Sequence, residues 1–171
     1  MKTTFKILAV LVAMVGFSAS SYAQSSATAT ATGTILTPIA IANAANMNFG
    51  NVASSGTAGT VVLPPAASPT RTTTGGVSLP SPVGTISAAT FTVTGNGSAT
   101  YAITLPSTAT TVTSGANTMT VDAFTSSPSG TGTLTSGTQT LYVGATLNVG
   151  ASQAAGEYVS GTAFTVTVNY N

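Results

Sequence analysis

The residues near the end of the chain alternate between apolar and polar side chains with a period of two. The apolar members of this alternation are Phe164, Val166, Val168 and Tyr170. Successive side chains of a β-strand point to opposite faces, whereas a helix repeats every 3.6 residues. The pattern therefore predicts an antiparallel strand that is buried on one face and exposed on the other.

Similar runs recur along the chain, and no segment after residue 23 shows a convincing helical repeat, although residues 42–46 could form one turn. Strands are expected at residues 60–63, 118–124, 140–143 and 145–149. The runs 91–93 and 101–105 flank a turn sequence, GNGS, and are expected to form a hairpin. The 18 glycines and 8 prolines fall mainly between the runs. The sequence thus predicts an all-β fold, an antiparallel β-sandwich of roughly eight to ten strands.

The first 23 residues have the layout of a secretory signal peptide. Lys2 and Lys6 precede an apolar run at residues 7–17, and small residues follow. Cleavage is expected between Ala23 and Gln24. The apolar run is shorter than the roughly 20 residues that span a bilayer. No transmembrane helix is expected, and the product is expected in the periplasm, at the cell surface or outside the cell.

Charged side chains are almost absent from the expected mature chain. Residues 24–171 contain one base, Arg71, and two acids, Asp122 and Glu157. Arg71 is expected to be a solvated loop residue. Phosphate binding needs clustered Lys and Arg, so a nucleic-acid partner is not expected. Because the mature chain has no histidine, cysteine or lysine, we expect no enzyme activity, no bound metal and no cofactor.

The beginning of the mature chain carries an unusually long alternation. Ala27, Ala29 and Ala31 alternate with threonines, and the same parity continues through Ile35 to residue 41. Fifteen extended residues reach roughly 50 Å, whereas a domain of this size is about 40 Å across. A break at Gly33 leaves an arm and an inner strand at residues 35–42. The arm either folds back onto its own domain or adds to the edge of a neighbouring subunit.

Several segments resemble an exported bacterial family, domain of unknown function 4402. They are NMNFGNV, the GGV at residues 75–77, LYVGATLNV, and AAGEYVSGTAFTVTVNYN. More distantly, the NFG after a first strand and the ending with Tyr170 look like spore coat U-type and chaperone–usher pilins. This resemblance implies an incomplete immunoglobulin-like sandwich that is completed by the arm of the next subunit. It implies a donor arm containing Ala27, Ala29, Ala31 and Ile35, and a groove bordered by Phe164, Val166, Val168 and Tyr170. A periplasmic chaperone or usher is a further implied partner.

The expected organisation is a signal peptide at 1–23, an arm at 24–34 and a β-sandwich domain at 35–171. Three classes of function stay open. The first is a self-associating structural subunit, of a pilus or a matrix or in an adhesin, that assembles by β-strand addition. The second is a monomeric secreted module that binds glycans or a surface. The third is a small outer-membrane β-barrel. The sequence favours the first.

Overall fold

The computed structural model describes residues 24–171, which divide between two compact units. Residues 24–34 belong to the first unit, form no helix or strand, and are exposed throughout. Residues 35–171 form the second unit. The predicted signal peptide, with Ala23 at its cleavage point, lies outside the described residues. Within 24–171 no helix has the length and apolar character to cross a membrane.

The second unit is built entirely from antiparallel strands in two sheets, which confirms the predicted all-β antiparallel fold. The strands are β1 Ala40–Ala45, β2 Ala53–Leu63, β3 Thr72–Ser78, β4 Ala89–Thr94, β5 Thr100–Thr104, β6 Thr110–Ser114, β7 Asn117–Ser127, β8 Thr131–Thr133, β9 Thr138–Val149, β10 Val159–Ser160 and β11 Thr167–Tyr170. The larger sheet runs β1-β4-β9-β7-β6-β10, and β2 joins it between β9 and β3. The smaller sheet is β11-β5-β8. The described residues form eleven strands, against the expected eight to ten, and two of them, β8 and β10, are only three and two residues long.

Strand β9 organises the larger sheet because it changes partner halfway along one edge. Its first half pairs with β4 and its second half with β2, while β7 runs along the opposite edge. The change falls at Gly144, where a Cβ would collide with the carbonyl oxygen of Leu63. A residue without a side chain is therefore required for β2 to end against β9. The two strands expected at 140–143 and 145–149 are one continuous strand.

The hairpin expected between the runs at 91–93 and 101–105 is wrong. Strand β4 pairs with β1 and β9, whereas β5 pairs with β8 and β11 in the other sheet. Val93 and Tyr101 are both fully buried in one cluster. They face each other across the sandwich because residues 95–99 cross from one sheet to the other. Gly and Asn suit a crossover between sheets and a tight hairpin turn equally, so the sequence GNGS does not distinguish the two connections.

Two hydrophobic clusters form the core. The β11 cluster lies between the sheets and contains Ala89, Val93, Tyr101, Leu134, Leu141, Val143, Val166 and Val168. The β2 cluster contains Val61, Val77, Val121, Ala145, Leu147 and Val149. Met47 and Phe124 pack against both clusters and join them. Strand β1 begins later than the expected 35–42 strand, and it occupies residues 42–45, where one helical turn had been considered.

Candidate assembly site

The last strand, β11, leaves one of its two edges unpaired. It pairs only with β5, and the bond from the Asn171 N–H to the Thr100 carbonyl shows which residues face β5. Alternate residues of an antiparallel strand direct their backbone groups to opposite sides. The N–H and C=O groups of Val168 and Tyr170 therefore point away from β5. Among the described residues, none forms a hydrogen bond to these groups. We call this side of β11 the open edge.

Apolar side chains lie directly behind the open edge. Val166 and Val168 are buried in the β11 cluster, and Phe164 and Tyr170 are half-buried against it. The ring of Phe164 lies 4.9 Å from that of Phe124, between centroids, with the two planes 42° apart. The structure thus brings the four predicted C-terminal residues together at one hydrophobic cluster. Pairing starts only at Thr167, because β5 ends at Thr104, opposite Thr167.

The predicted arm residues lie at the surface. Ala27, Ala29 and Ala31 are exposed and belong to no strand. Ile35, the first residue of the second unit, is 99% exposed, and the neighbouring Leu36 is 51% exposed. An isoleucine with almost its whole side chain in water is unusual even at a protein surface. The chain thus exposes an apolar pair, Ile35 and Leu36, shortly after the small alanines.

The other free strand edges differ from that of β11. Strand β1, which ends the larger sheet, has a register shift between Asn43 and Ala45. Strand β3 is bent at Gly75, which has a φ of +63°, and β8 and β10 are very short. Bends and short lengths are common protections of a sheet edge, as are lysine side chains. The chain has no lysine after residue 6, so no edge of residues 24–171 is protected in that way. Strand β11 has neither a bend nor a charged side chain.

A shallow cleft of about 620 Å³ lies beside Phe164, just before β11. It is lined by Leu105, Pro106, Ser107, Thr108, Ala109, Thr110, Thr111, Thr113, Gly161, Thr162, Ala163, Phe164 and Thr165. None of these side chains titrates near neutral pH. The cleft therefore offers hydroxyl groups and a small apolar surface, without a group for acid–base chemistry.

The hydroxyl of Tyr170 ties together two segments that are distant in sequence. It accepts a hydrogen bond from the N–H of Asn96 and donates one to the carbonyl of Thr37, each at 2.7 Å. Sequence reasoning assigned Tyr170 to the strand but missed this role. A tyrosine among valines was the available signal, because a buried tyrosine hydroxyl usually finds a partner.

Arg71 is buried, which corrects the expectation of a solvated loop residue. Only 6% of its surface is exposed. Its guanidinium donates hydrogen bonds to the carbonyls of Phe49, Asn51 (2.9 Å) and Val83 (3.3 Å). Gly50, with a φ of +64°, lets these carbonyls converge, since a Cβ there would contact Arg71 and Val83. The conformation of the segment NFGN therefore serves to surround the Arg71 guanidinium with carbonyl groups.

The electrostatics of residues 24–171 follow from this burial. Desolvation lowers the pKa of Arg71 from its usual value. Its hydrogen-bond partners are carbonyl groups and include no carboxylate, so carbonyl dipoles compensate its charge. The accessible charged side chains are then two acids, Asp122 and Glu157. In the described part of the chain, no cluster of three or more residues with metal-binding side chains occurs.

Tyr101 is the largest fully buried side chain. Its hydroxyl donates a 2.6 Å hydrogen bond to the side-chain carbonyl of Gln139, which also accepts the N–H of Thr133. Burial raises the pKa of Tyr101 from its usual value of 10.0. This small network connects β5, β8 and β9 inside the core.

The fold and the open edge define a class, an all-β protein of two antiparallel sheets whose final strand has one unpaired edge. The chain belongs to the family described as Domain of unknown function (DUF4402), whose model matches residues 39–170. The predicted resemblance to this family is therefore confirmed. No curated protein and no solved structure matches the chain.

Proposed function

We propose that this protein is a non-enzymatic structural subunit, pilin-like or part of a matrix or adhesin, that self-associates outside the cytoplasm by β-strand addition. The open edge of β11 is the acceptor, and the segment from Ala27 to Ile35 of a second copy is the donor. The observation that carries the proposal is the open edge itself, with unpaired backbone groups in front of buried valines. The distant resemblance to chaperone–usher pilins supports the same role and suggests a chaperone or usher as a further partner.

Backbone pairing supplies much of the affinity in this proposal. Burying one methyl group contributes about 0.8 kcal/mol, so the three alanines together contribute about 2 kcal/mol. Burying Ile35 contributes about 2 to 3 kcal/mol more. Association itself costs at least about 4 kcal/mol. The side chains therefore roughly offset the cost of association, and the hydrogen bonds to the open edge provide the remaining affinity.

Export and surface location agree with the expected signal peptide at residues 1–23 and with the nearly uncharged surface. Little charge means little repulsion between copies. Within residues 24–171 the only exposed acidic or basic side chain is Glu157, and Asp122 is half-buried. A subunit of this kind associates with its neighbours without having to bring many like charges together.

The parity of the arm gives the sharpest test. Replacing Ala27, Ala29 and Ala31 with Asp places three charges on the face that is buried in the proposed complex, and should abolish polymers because buried unpaired charges are costly. The matched control replaces Thr28, Thr30 and Thr32 with Asp, which adds the same charge to the opposite face. Sedimentation and electron microscopy of the secreted protein measure the outcome. Polymers that survive the alanine substitutions would overturn the proposal, and so would equal losses in the two variants.

Cross-linking locates the acceptor. Because the chain has no cysteine, Thr30→Cys combined with Asn169→Cys introduces the only two thiols, and a short bismaleimide should link separate copies into ladders. The control combines Thr30→Cys with Thr74→Cys on β3, another free edge. Ladders that form with Thr74→Cys but not with Asn169→Cys would place the acceptor on β3 and contradict the assignment to β11.

A monomeric module that binds neutral glycans is the second candidate function, and the hydroxyl-lined cleft beside Phe164 favours it. One aromatic ring and several uncharged hydroxyl groups suit a neutral sugar. The two candidates differ in mass at working concentration. A single sedimenting species of monomer mass, combined with glycan binding that Phe164→Ala abolishes, would support the second function over the first.

A further inference from the structure

The hydroxyl of Tyr170 holds the segment that leads into β1 against the end of β11. Its two hydrogen bonds, to Thr37 and from Asn96, join the start of the domain to the crossover between β4 and β5. Gly95 leaves room for this oxygen, because a Cβ at that position would collide with the Tyr170 hydroxyl. Three separate segments therefore meet at one oxygen atom beside the open edge.

The space next to the open edge is too narrow for another strand while these bonds are present. Paired strands lie about 4.8 Å apart, so a strand between β11 and β1 requires about 9.6 Å. Cα atoms of β1 and β11 approach within 8 Å of each other. Ile39 and Ile41 also pack against the β11 cluster. An incoming strand has to displace the segment that Tyr170 holds.

We propose that the Tyr170 hydroxyl is a clasp that restrains self-association. In the monomer it keeps residues 37–41 beside β11, and strand addition proceeds only after its bond to Thr37 is released. This inference rests on the proposed function, since it assigns a regulatory contact to the same edge. Release involves no chemical step, only the exchange of one neutral hydrogen bond for others.

The chain offers a closely matched control. The hydroxyl of Tyr158 also accepts a hydrogen bond from an N–H, that of the Gln153 side chain at 2.7 Å, and donates to a carbonyl, that of Ala154 at 2.8 Å. Tyr158 lies in the segment before β10 and is half-buried like Tyr170. Tyr158→Phe thus removes the same chemistry from a place where no acceptor edge is proposed.

The experiment compares Tyr170→Phe, Tyr158→Phe and the unaltered mature chain. In Tyr170→Phe, hydrogen exchange of the peptide covering residues 35–45 should accelerate, and polymers should form about fivefold faster, because one weak restraint is gone. Tyr158→Phe should change neither quantity. Unchanged exchange at 35–45 would overturn the clasp, as would an unchanged assembly rate in a chain that polymerises. If no chain polymerises, the proposed function fails together with the restraint, and the exchange data still show whether Tyr170 holds the segment.

Discussion

Arg71 and Tyr170 each connect separate segments through one polar side chain, but the two side chains differ in burial and in charge. Arg71, the residue before β3, is only 6% exposed and donates charge-assisted hydrogen bonds to three carbonyls. Tyr170 is half-buried and makes two neutral hydrogen bonds beside an unpaired edge. A hydrogen bond to a charged group contributes about 1.5 to 3 kcal/mol, compared with about 1 kcal/mol for a neutral one.

This difference indicates which contacts are fixed in the folded chain and which can be exchanged when copies associate. Each hydrogen-bond acceptor of Arg71 is a backbone carbonyl, which would be left without a donor if the guanidinium moved away. Around Tyr170 the partners can exchange one neutral contact for another. The Arg71 side is therefore expected to determine stability, and the Tyr170 side to determine association.

The largest effect on stability is expected from Arg71→Ala. It leaves the carbonyls of Phe49, Asn51 and Val83 without their donor and should lower the free energy of unfolding by about 4 kcal/mol. Arg71→Lys keeps the charge but cannot reach three carbonyls with a compact ammonium, so about half of the loss should persist. Urea denaturation of the mature chain measures both. A loss below about 1 kcal/mol for Arg71→Ala would break the comparison.

A smaller loss of stability is expected from substituting glycines, and comparing two of them distinguishes backbone strain from steric contact. Gly50→Ala combines a φ of +64° with contacts to Arg71 and Val83, and should cost about 3 kcal/mol. Gly97→Ala has a φ of +46° but nothing within 4 Å of the added Cβ, and should cost about 1 kcal/mol. Thermal and urea unfolding of the two variants measure the difference. Equal losses would show that the packing around Arg71 is loose.

At the open side, substitutions should affect stability less than association. Phe164→Leu keeps an apolar side chain and removes the ring that contacts Phe124, so about 1 kcal/mol of stability should be lost. Phe91→Leu is the control, a half-buried phenylalanine of the same cluster in the central part of the fold. Sedimentation should show weaker self-association for Phe164→Leu than for Phe91→Leu. The reverse order would remove Phe164 from the acceptor site.

The smallest effect concerns pH. Because burial raises the pKa of Tyr101, the unfolded chain loses this proton before the folded chain does. The contribution of Tyr101 is complete below its unfolded pKa of about 10 and decreases as the pH rises from there towards the folded pKa. Tyr101→Phe should therefore show a weaker loss of stability between about pH 9 and about pH 11 than the unaltered chain. The free energy of unfolding is measured by urea denaturation at each pH. If it falls equally with pH in Tyr101→Phe and in the unaltered chain, the assignment to Tyr101 is contradicted.

Several features followed from the sequence because they depend on local chemistry. The alternation ending at Tyr170 predicted a strand with one buried face, and β11 has it. The lack of a helical repeat after residue 23 predicted an all-β domain, and residues 24–171 contain no helix. Of the four residues expected along the C-terminal strand, Val168 and Tyr170 lie in β11, whereas Phe164 and Val166 precede it. Each of these predictions needs only the side-chain period and the polarity of neighbouring residues.

The tertiary structure alone decided the partners of the strands and the surroundings of the polar groups. The GNGS segment suits a hairpin and a crossover equally, so only packing of Val93 against the opposite sheet excluded the hairpin. Arg71 has no acidic neighbour in the sequence, and its three carbonyl partners come from 12 to 22 residues away. The contact from Tyr170 to Thr37 spans 133 positions. Side-chain alternation specifies the buried face of a strand, but which edges and carbonyls meet depends on how the whole chain fills one core.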